Sequence, residues 1–306
     1  LNPRIWLIPL KLKDYYNEQE IEKFRKSFLN ETSVYESLKS LKDNPPQFGL
    51  YICGSDQIWN PYFTSKGENN SPTSSYFLDF GDDMVKRVAY AVSFGCIKYP
   101  EEASKISKNY IFNFDAISVR ENSGINILKS WGVNNAIKVA DPTLLIPKES
   151  YNFNNKSFKK NPKKVFVYLL RNEKKKAQHL ISNLSNKKFE ILYADKIFQD
   201  LSLEVWVENI AKSSLMMTNS YHGMIFAIIH RVPFVVFLTD GNLSGMNDRF
   251  ITLLSYLGLE DRIVSNLNEF SWDTFLSKKI DWEKVEELNF QLKKETDNFF
   301  RNVLNN

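Results

Sequence analysis

One stretch decides the fold most clearly: residues 215–238 read LMMTNSYHGMIFAIIHRVPFVVFL. An apolar run at 215–218 is followed by a polar turn, a helical pattern near 221–231, and a second apolar run at 234–238. A strand, a helix and a strand in this order are typical of a parallel βαβ unit. The stretch therefore predicts a buried part of a parallel sheet covered by helices.

The turn of this unit predicts an anion site. Ser220 stands where a helix N-cap is expected, which puts His222 and Gly223 in the first helical turn. Backbone N–H groups at a helix start favour a phosphate or carboxylate, and Gly223 would let such a ligand approach closely. The imidazole of His222 could then move a proton on the ligand. The alternative is a polar cap that merely contains a histidine.

The same alternation of apolar runs and helical patterns continues on both sides of this unit. Strands are predicted at 49–53, 87–93, 116–119, 137–140, 165–170, 189–193, 215–218 and 234–238. The stretch 147–164 is rich in Asn, Lys, Ser and Pro, so we interpret it as a linker. The sequence thus predicts an α/β protein with two Rossmann-like lobes, 1–146 and 165–280. An amphipathic pattern at 281–306 predicts a helix that packs back on the first lobe.

Composition narrows the function classes. The chain has 306 residues, which favours two domains. Its 40 Lys and Arg against 36 Asp and Glu are spread along the chain, which does not favour nucleic acid as a partner. No apolar run reaches the roughly 20 residues that span a bilayer, and no secretory leader is recognisable. Two cysteines, Cys53 and Cys96, predict neither a disulfide framework nor a zinc site. We expect a cytoplasmic protein, and the Asn- and Lys-rich composition is compatible with an AT-rich bacterial genome.

A second candidate segment, 117–124, reads ISVRENSG and ends another predicted strand. Arg120 would then lie at the carboxyl edge of its sheet, where ligands of open α/β sheets gather. A guanidinium group there suits a carboxylate or a phosphate. The alternative is an ion pair of Arg120 with Glu121 or another neighbour.

A third segment, GSDQIWNP at 54–61, follows a predicted strand and is rich in hydrogen-bonding groups. Asp56 and Gln57 could bind hydroxyl groups, and Trp59 could stack on a sugar ring. The alternative is a structural turn in which Trp59 only packs. The later segment 141–145, DPTLL, is interpreted as structural because its proline and leucines suit a connection between lobes.

Five ordered segments together resemble the polysaccharide pyruvyl transferase family. They are GSDQIWNP at 54–61, YAVSFG at 90–95, ISVRENSG at 117–124, VADPTLLI at 139–146 and TNSYHGMIFAIIHRVPFVVF at 218–237. The resemblance runs from about Phe48 to about Arg262. It implies a fold like the two-domain GT-B glycosyltransferases. It also implies phosphoenolpyruvate as donor, a pair of sugar hydroxyl groups as acceptor, and a pyruvate ketal as product in surface-polysaccharide biosynthesis.

The resemblance also implies roles for single residues. His222 would be the acid/base group. The donor would be bound by Arg120, Ser220, Tyr221, Gly223 and Arg249. The acceptor would be bound by Asp56, Gln57 and Trp59. No nucleotide, redox cofactor or metal ion is expected.

Two departures from the family pattern keep alternatives open. Ser220 stands where some members carry arginine, and the chain starts without the strand and glycine turn expected at the family's N-terminus. The first lobe is therefore expected to lack its first βα unit. One alternative is a GT-B glycosyltransferase that uses a nucleotide sugar, with Glu204 or Glu208 as candidates to bind its ribose. Another is a sugar-binding protein without catalytic activity.

Overall fold

The computed structural model describes residues 18–19, 21–65, 67, 71–151, 158–170, 173–194 and 202–305. The chain divides into two compact units. The Arg120 unit comprises residues 34–146, 238–262 and 280–306. The His222 unit comprises residues 147–237 and 263–279 together with the described part of 1–33.

All strands in the described residues belong to two parallel sheets. The strands are β1 (Leu50–Asp56), β2 (Lys86–Val92), β3 (Ala116–Val119), β4 (Ile137–Lys138), β5 (Lys164–Tyr168), β6 (Glu190–Tyr193), β7 (Leu215–Thr218), β8 (Phe234–Phe237) and β9 (Ile263–Val264). The sheet of the Arg120 unit has the order β1-β2-β3-β4, and that of the His222 unit has the order β6-β5-β7-β8-β9. Both are parallel throughout.

Helices connect and cover these strands. They are α1 (21–28), α2 (Leu38–Asp43), α3 (Glu101–Ile111), α4 (Asn122–Ser130), α5 (Pro142–Leu145), α6 (Glu173–Asn186), α7 (Leu203–Ala211), α8 (Tyr221–Ile229), α9 (Asp248–Leu257), α10 (Trp272–Ser277) and α11 (Trp282–Asn305). The predicted α/β fold, with two Rossmann-like parallel sheets flanked by helices, is confirmed. In the described part of the chain, no helix combines the length and the apolar character needed to cross a bilayer.

The predicted βαβ unit lies at the centre of its sheet. Every residue of β7 and of β8 is buried, as expected for parallel strands covered on both faces. Strands β6 and β7 lie on opposite sides of β5. The chain therefore moves in one direction along the sheet from β5 to β6 and in the opposite direction from β6 to β7. At such a switch point the carboxyl ends of two strands form the crevice in which open α/β sheets bind ligands. The start of α8 follows β7 directly and therefore lies at this crevice.

The Arg120 unit combines three separate parts of the chain. Helix α11 buries Phe299 and Val303 against Tyr90 of β2 and Val139, which follows β4. Thr296 of the same helix accepts the N–H of Ala140 at 3.1 Å. Residues 238–262, which the sequence analysis placed in the C-terminal lobe, also belong to this unit. Tertiary hydrogen bonds to the start of α4, described below, hold them there.

Two predictions from the sequence fall partly outside the described residues. The predicted linker, 147–164, begins with a short 3₁₀ helix, Lys148–Tyr151, and its residues 152–157 lie outside the described part. The ring of Tyr151 packs against Phe226 of α8, with ring centroids 4.8 Å apart. The expectation that the first lobe lacks its first βα unit concerns the start of the chain. Residues 1–17 are not among those described.

The packing of α11 can be tested with Phe299→Ala. The ring of Phe299 is buried in a cluster with β2, so its loss should lower the free energy of unfolding by about 3–5 kcal/mol in urea titrations. Phe290→Ala is the matched control, because this phenylalanine of the same helix is 57% exposed. Its effect should stay within about 1 kcal/mol of wild type. Equal effects of the two substitutions would contradict the described packing.

Candidate functional site

Arg120 follows β3 directly, and its guanidinium group is buried, with 1% of the side chain exposed. Its Nη1 donates to Oδ2 of Asp141 at 2.7 Å, and its Nη2 donates to Oδ1 of Asp56 at 2.6 Å. A buried guanidinium requires such partners, because removing an unpaired charge from water is very costly. The ion pair considered as an alternative in the sequence analysis is therefore present, mainly with Asp56 and Asp141. Glu121 is more distant, with Oε2 3.9 Å from Nε of Arg120.

Asp56 differs from the other carboxyl groups around Arg120 because 61% of its side chain is exposed. It is the last residue of β1 and has a φ of 70°, in the left-handed region. Asp and Asn tolerate this region better than most residues that have a side chain. Nη1 of Arg249 lies 3.7 Å from the same Oδ1 that Arg120 contacts. One oxygen atom at the carboxyl edge of the sheet thus lies close to two guanidinium groups.

Arg249 is held near Asp56 by tertiary hydrogen bonds that local sequence patterns do not predict. Asp248, the first residue of α9, accepts the N–H of Ser123 at 2.7 Å. Thr252, one turn later, accepts the N–H of Asn122 at 3.1 Å. These two N–H groups open α4, whose N-cap side chain makes no capping bond of its own. Side chains of α9 thus cap α4. The same contacts hold Arg249, the second residue of α9, close to Asp56 and Arg120.

Glu121 connects the arginines to the turn after β2. Its side chain is 2% exposed, and its Oε1 accepts the N–H of Phe94 at 2.8 Å and that of Gly95 at 3.4 Å. Burial raises the pKa of Glu121, whereas the charges of Arg120 and Arg249 and the N–H of Phe94 act against this rise. The Arg120 cluster, defined as Arg120, Arg249, Asp56, Asp141 and Glu121, therefore contains two cations and three carboxyl groups.

Gln57 lies beside the Arg120 cluster and is half-buried. Its Oε1 accepts a hydrogen bond from Nδ2 of Asn60 at 2.7 Å. Gly95 has a φ of 59°, and a side chain there would collide with both of these groups. The glycine thus allows the turn after β2 to pack directly on segment 54–61. The predicted acceptor role of Gln57 stays a prediction.

The predicted stacking of Trp59 on a sugar was wrong. The side chain is fully buried, at 0% exposure, among Phe77, Phe94 and Phe114, with ring centroids 5.2, 5.3 and 5.5 Å away. Its Nε1 donates to the carbonyl oxygen of Tyr76 at 2.9 Å. An indole enclosed in this way is a core residue with its polar atom satisfied. The alternative of simple packing, stated with the prediction, describes it correctly.

In the His222 unit, the turn between β7 and α8 is fixed by a chain of hydrogen bonds. Oγ of Ser220 accepts the N–H of Gly223 at 3.2 Å, which confirms Ser220 as the N-cap. Thr218 accepts the N–H of Ser220 and donates to the carbonyl oxygen of Tyr168, each at 2.9 Å. His222 thus lies half-buried in the first turn of α8, at the crevice defined by the strand order.

Gly223 has a packing role that the sequence did not predict, and its predicted role in donor binding stays a prediction. A side chain at this position would lie 2.7 Å from Oγ1 of Thr218 and 2.9 Å from Cε of Met216. The missing side chain therefore lets α8 pack closely on β7, and the space is filled by the strand. The neighbouring Tyr221 is also buried, at 3% exposure. Donor binding by Tyr221 stays a prediction.

The two other histidines lie away from this turn. His230 ends α8 and is packed between Phe226 and Phe158, with ring centroids 6.5 and 6.0 Å away. Burial lowers the pKa of His230 to about 4, with a smaller contribution from nearby lysines. His179 lies exposed on α6. Of the three histidines, His222 is therefore the one that lies just beyond the carboxyl end of a strand.

A family model described as polysaccharide pyruvyl transferase matches residues 6–241. The chain belongs to this family. The match covers well over half of the 306 residues and includes Asp56, Arg120 and His222. It ends before Arg249, which the structure nevertheless places beside Arg120. No curated protein matched the chain closely enough to add a named relative.

Sequence reasoning did not place two members of the Arg120 cluster among the candidate site residues. Asp141 was assigned a structural role, and it does cap α5 by accepting the N–H of Thr143 at 3.0 Å. Its other oxygen binds Arg120, and no local pattern signals that contact. Glu121 was considered only as an ion-pair partner of Arg120. Among the described residues, no group of three or more His, Cys, Asp or Glu side chains is arranged to hold a metal ion.

Gly223→Ala tests the packing role of this glycine. The new methyl group would meet Thr218 and Met216, so the free energy of unfolding should fall by about 1–3 kcal/mol in denaturant titrations. Gly49→Ala is a suitable control, because a side chain at Gly49 meets no atom within 4 Å. If Gly223→Ala left stability unchanged and abolished ligand binding, the original interpretation of a close ligand approach would be correct.

The pH dependence of stability should reveal His230. Its folded pKa of about 4 lies below the ordinary value of 6.5, so between these values the unfolded chain binds more protons. The contribution of His230 to stability is then complete above pH 6.5 and is lost as the pH falls towards 4. It amounts to roughly 3 kcal/mol. His230→Gln should remove this component from urea titrations across that range, and His179→Gln should not. If the free energy of unfolding had the same pH dependence in wild type and His230→Gln, the predicted contribution of His230 would be refuted.

Proposed function

We propose that this protein transfers the pyruvyl group of phosphoenolpyruvate to two hydroxyl groups of a sugar, forming a pyruvate ketal. Membership of the polysaccharide pyruvyl transferase family indicates a transferase that acts on a sugar or glycan. The donor, the ketal product and a place in bacterial surface-polysaccharide synthesis are parts of the proposal. We also propose a cytoplasmic location, since Cys53 and Cys96 are buried and unlinked, which suits a reducing compartment.

The observation that carries the donor assignment is the position of Asp56 Oδ1 beside two guanidinium groups. It lies 2.6 Å from Nη2 of Arg120 and 3.7 Å from Nη1 of Arg249, at the end of a parallel strand. Guanidinium groups recognise carboxylate and phosphate oxygens through directed, charge-assisted hydrogen bonds. Phosphoenolpyruvate carries both kinds of group. The Arg120 cluster therefore supplies the chemistry that would bind this donor.

The proposed reaction needs two proton movements. Protonation of the donor's methylene carbon gives a methyl group and leaves C2 with oxocarbenium character. One sugar hydroxyl attacks C2 and loses its proton. Inorganic phosphate leaves, and the second hydroxyl attacks C2 to close the ketal. Of the two hydroxyl protons, one balances the new methyl group and the other leaves with phosphate. We assign the proton transfer to His222, whose position at the start of α8 is fixed by the Ser220 cap.

Fewer residues remain as candidates to bind the acceptor than the sequence predicted. Asp56 and Gln57 remain candidates to bind sugar hydroxyl groups, because they are exposed and half-buried at the end of β1. Trp59 is excluded, since it lies in the core. The start of α8 at the switch point between β5 and β7 also suits the diphosphate of a nucleotide sugar. Glycosyl transfer is therefore the second candidate, and the same experiment separates the two.

Calorimetric titration of phosphoenolpyruvate and of UDP-sugars tests the donor. We expect phosphoenolpyruvate to bind the wild-type protein and Arg249→Ala to weaken this binding by about tenfold or more, because a charge-assisted bond is lost. Arg249 is a better target than Arg120, since Arg120→Ala would leave the buried carboxyl group of Asp141 uncompensated and damage the fold.

Turnover tests the role of His222. With an acceptor sugar present, His222→Ala should retain donor binding and lower the rate of phosphate release by about 10²–10⁴-fold. His179→Ala is the control, because His179 is exposed on α6. Binding of a UDP-sugar without phosphoenolpyruvate would replace the proposal by glycosyl transfer. Binding of neither donor would identify a protein without this catalytic activity.

A further inference from the structure

The Arg120 cluster holds more negative than positive charge if all its groups are ionised. Such a cluster offers no net attraction to a ligand that carries a phosphate and a carboxylate. An anion that binds between the arginines competes with these carboxyl groups for the same guanidinium groups. The three carboxyl groups differ greatly in how easily they could move away.

Burial singles out Asp56 as the group that can withdraw. The side chains of Asp141 and Glu121 are 1% and 2% exposed, so moving either would require the core to open. The side chain of Asp56 is 61% exposed and can turn into water, where its charge is fully solvated. Burial also raises the pKa of Glu121, which favours its neutral form and reduces the negative charge that remains.

From this geometry we propose that Asp56 is a built-in competitor of the donor. Its Oδ1 lies at the place between Arg120 and Arg249 that an oxygen of phosphoenolpyruvate takes up, and binding of the donor displaces it. This inference rests on the proposed function for the identity of the donor. The site itself is defined more broadly, as one that accepts an anionic oxygen of a phosphate or a carboxylate.

Displacement has a consequence for specificity. A negatively charged ligand can replace the carboxylate of Asp56 as a partner of the buried guanidinium group of Arg120. A neutral sugar brings no such charge and cannot displace Asp56. The residue therefore makes the site selective for anions and lowers its affinity for all of them.

Asp56→Asn tests the proposal with little change in shape. Asn tolerates the left-handed backbone of residue 56 as well as Asp does, and it removes only the charge. In calorimetric titrations, the variant should bind both phosphoenolpyruvate and inorganic phosphate about tenfold more tightly than wild type, a change of about 1.4 kcal/mol in binding free energy. Asp56→Gly also removes the carboxylate, and because glycine adopts this backbone conformation without strain, it should give the same result.

Two control variants separate displacement from a general effect of charge. Asp43→Asn removes an equal charge from an exposed residue at the end of α2, ahead of β1, and should leave both affinities unchanged. Asp56→Glu retains the carboxylate and should not tighten binding. Adding Arg249→Ala to Asp56→Asn should reverse the gain.

The outcomes also distinguish this inference from the proposed function. Tighter binding of both ligands supports both. Tighter binding of phosphate, with no binding of phosphoenolpyruvate, retains the displacement and rejects the donor. Unchanged or weaker binding of both ligands in Asp56→Asn and Asp56→Gly overturns the displacement.

Discussion

The buried guanidinium group of Arg120 is the interaction on which the arrangement of its unit depends. A charge at 1% exposure is stable only if opposite charges approach it closely, and they come from separate parts of the chain. Asp56 ends β1, and Asp141 begins α5 after β4. A single side chain therefore holds together the carboxyl ends of strands that are remote in sequence. The need to neutralise this charge brings functional groups to one edge of the sheet.

In the His222 unit, neutral side chains and not ion pairs fix the turn at the carboxyl end of the strand. The polar atoms of the turn after β7 are satisfied by Thr218 and Ser220, which bond to the backbone around them. Close packing of α8 on β7, which Gly223 permits, leaves the first helical turn little freedom. A histidine on such a turn has a fixed position, which general acid/base catalysis requires. Each unit thus carries a pre-organised polar group at the carboxyl edge of its own sheet.

Local patterns in the sequence predicted the features that depend only on residues close together in the chain, namely strands, helices and helix caps. The strands at 215–218 and 234–238 and the helix between them follow from apolar periodicity and from the need of a helix start for a cap. The capping role of Ser220 was predicted for the same reason. The family resemblance rested on such local segments, and the family model confirmed it over residues 6–241.

Tertiary contacts decided the features that were missed. An apolar tryptophan after a strand can face solvent or core, and Trp59 faces the core because aromatic rings from three other segments surround it. Gly223 leaves room for the side chains of Thr218 and Met216 on the neighbouring strand. Spacing along the chain does not reveal this contact. Arg249 lies beside Arg120 because α9 caps α4. Its sequence distance from Arg120 carries no sign of that contact.

The most direct test of the central claim is a crystal structure of the protein with phosphoenolpyruvate bound. The account predicts that an oxygen of the donor's phosphate or carboxylate lies within hydrogen-bonding distance of Nη2 of Arg120 and Nη1 of Arg249. It also predicts that the carboxylate of Asp56 has turned away into solvent. A structure in which phosphoenolpyruvate binds elsewhere, with the ion pair of Arg120 and Asp56 intact, would contradict the claim that the Arg120 cluster is the donor site.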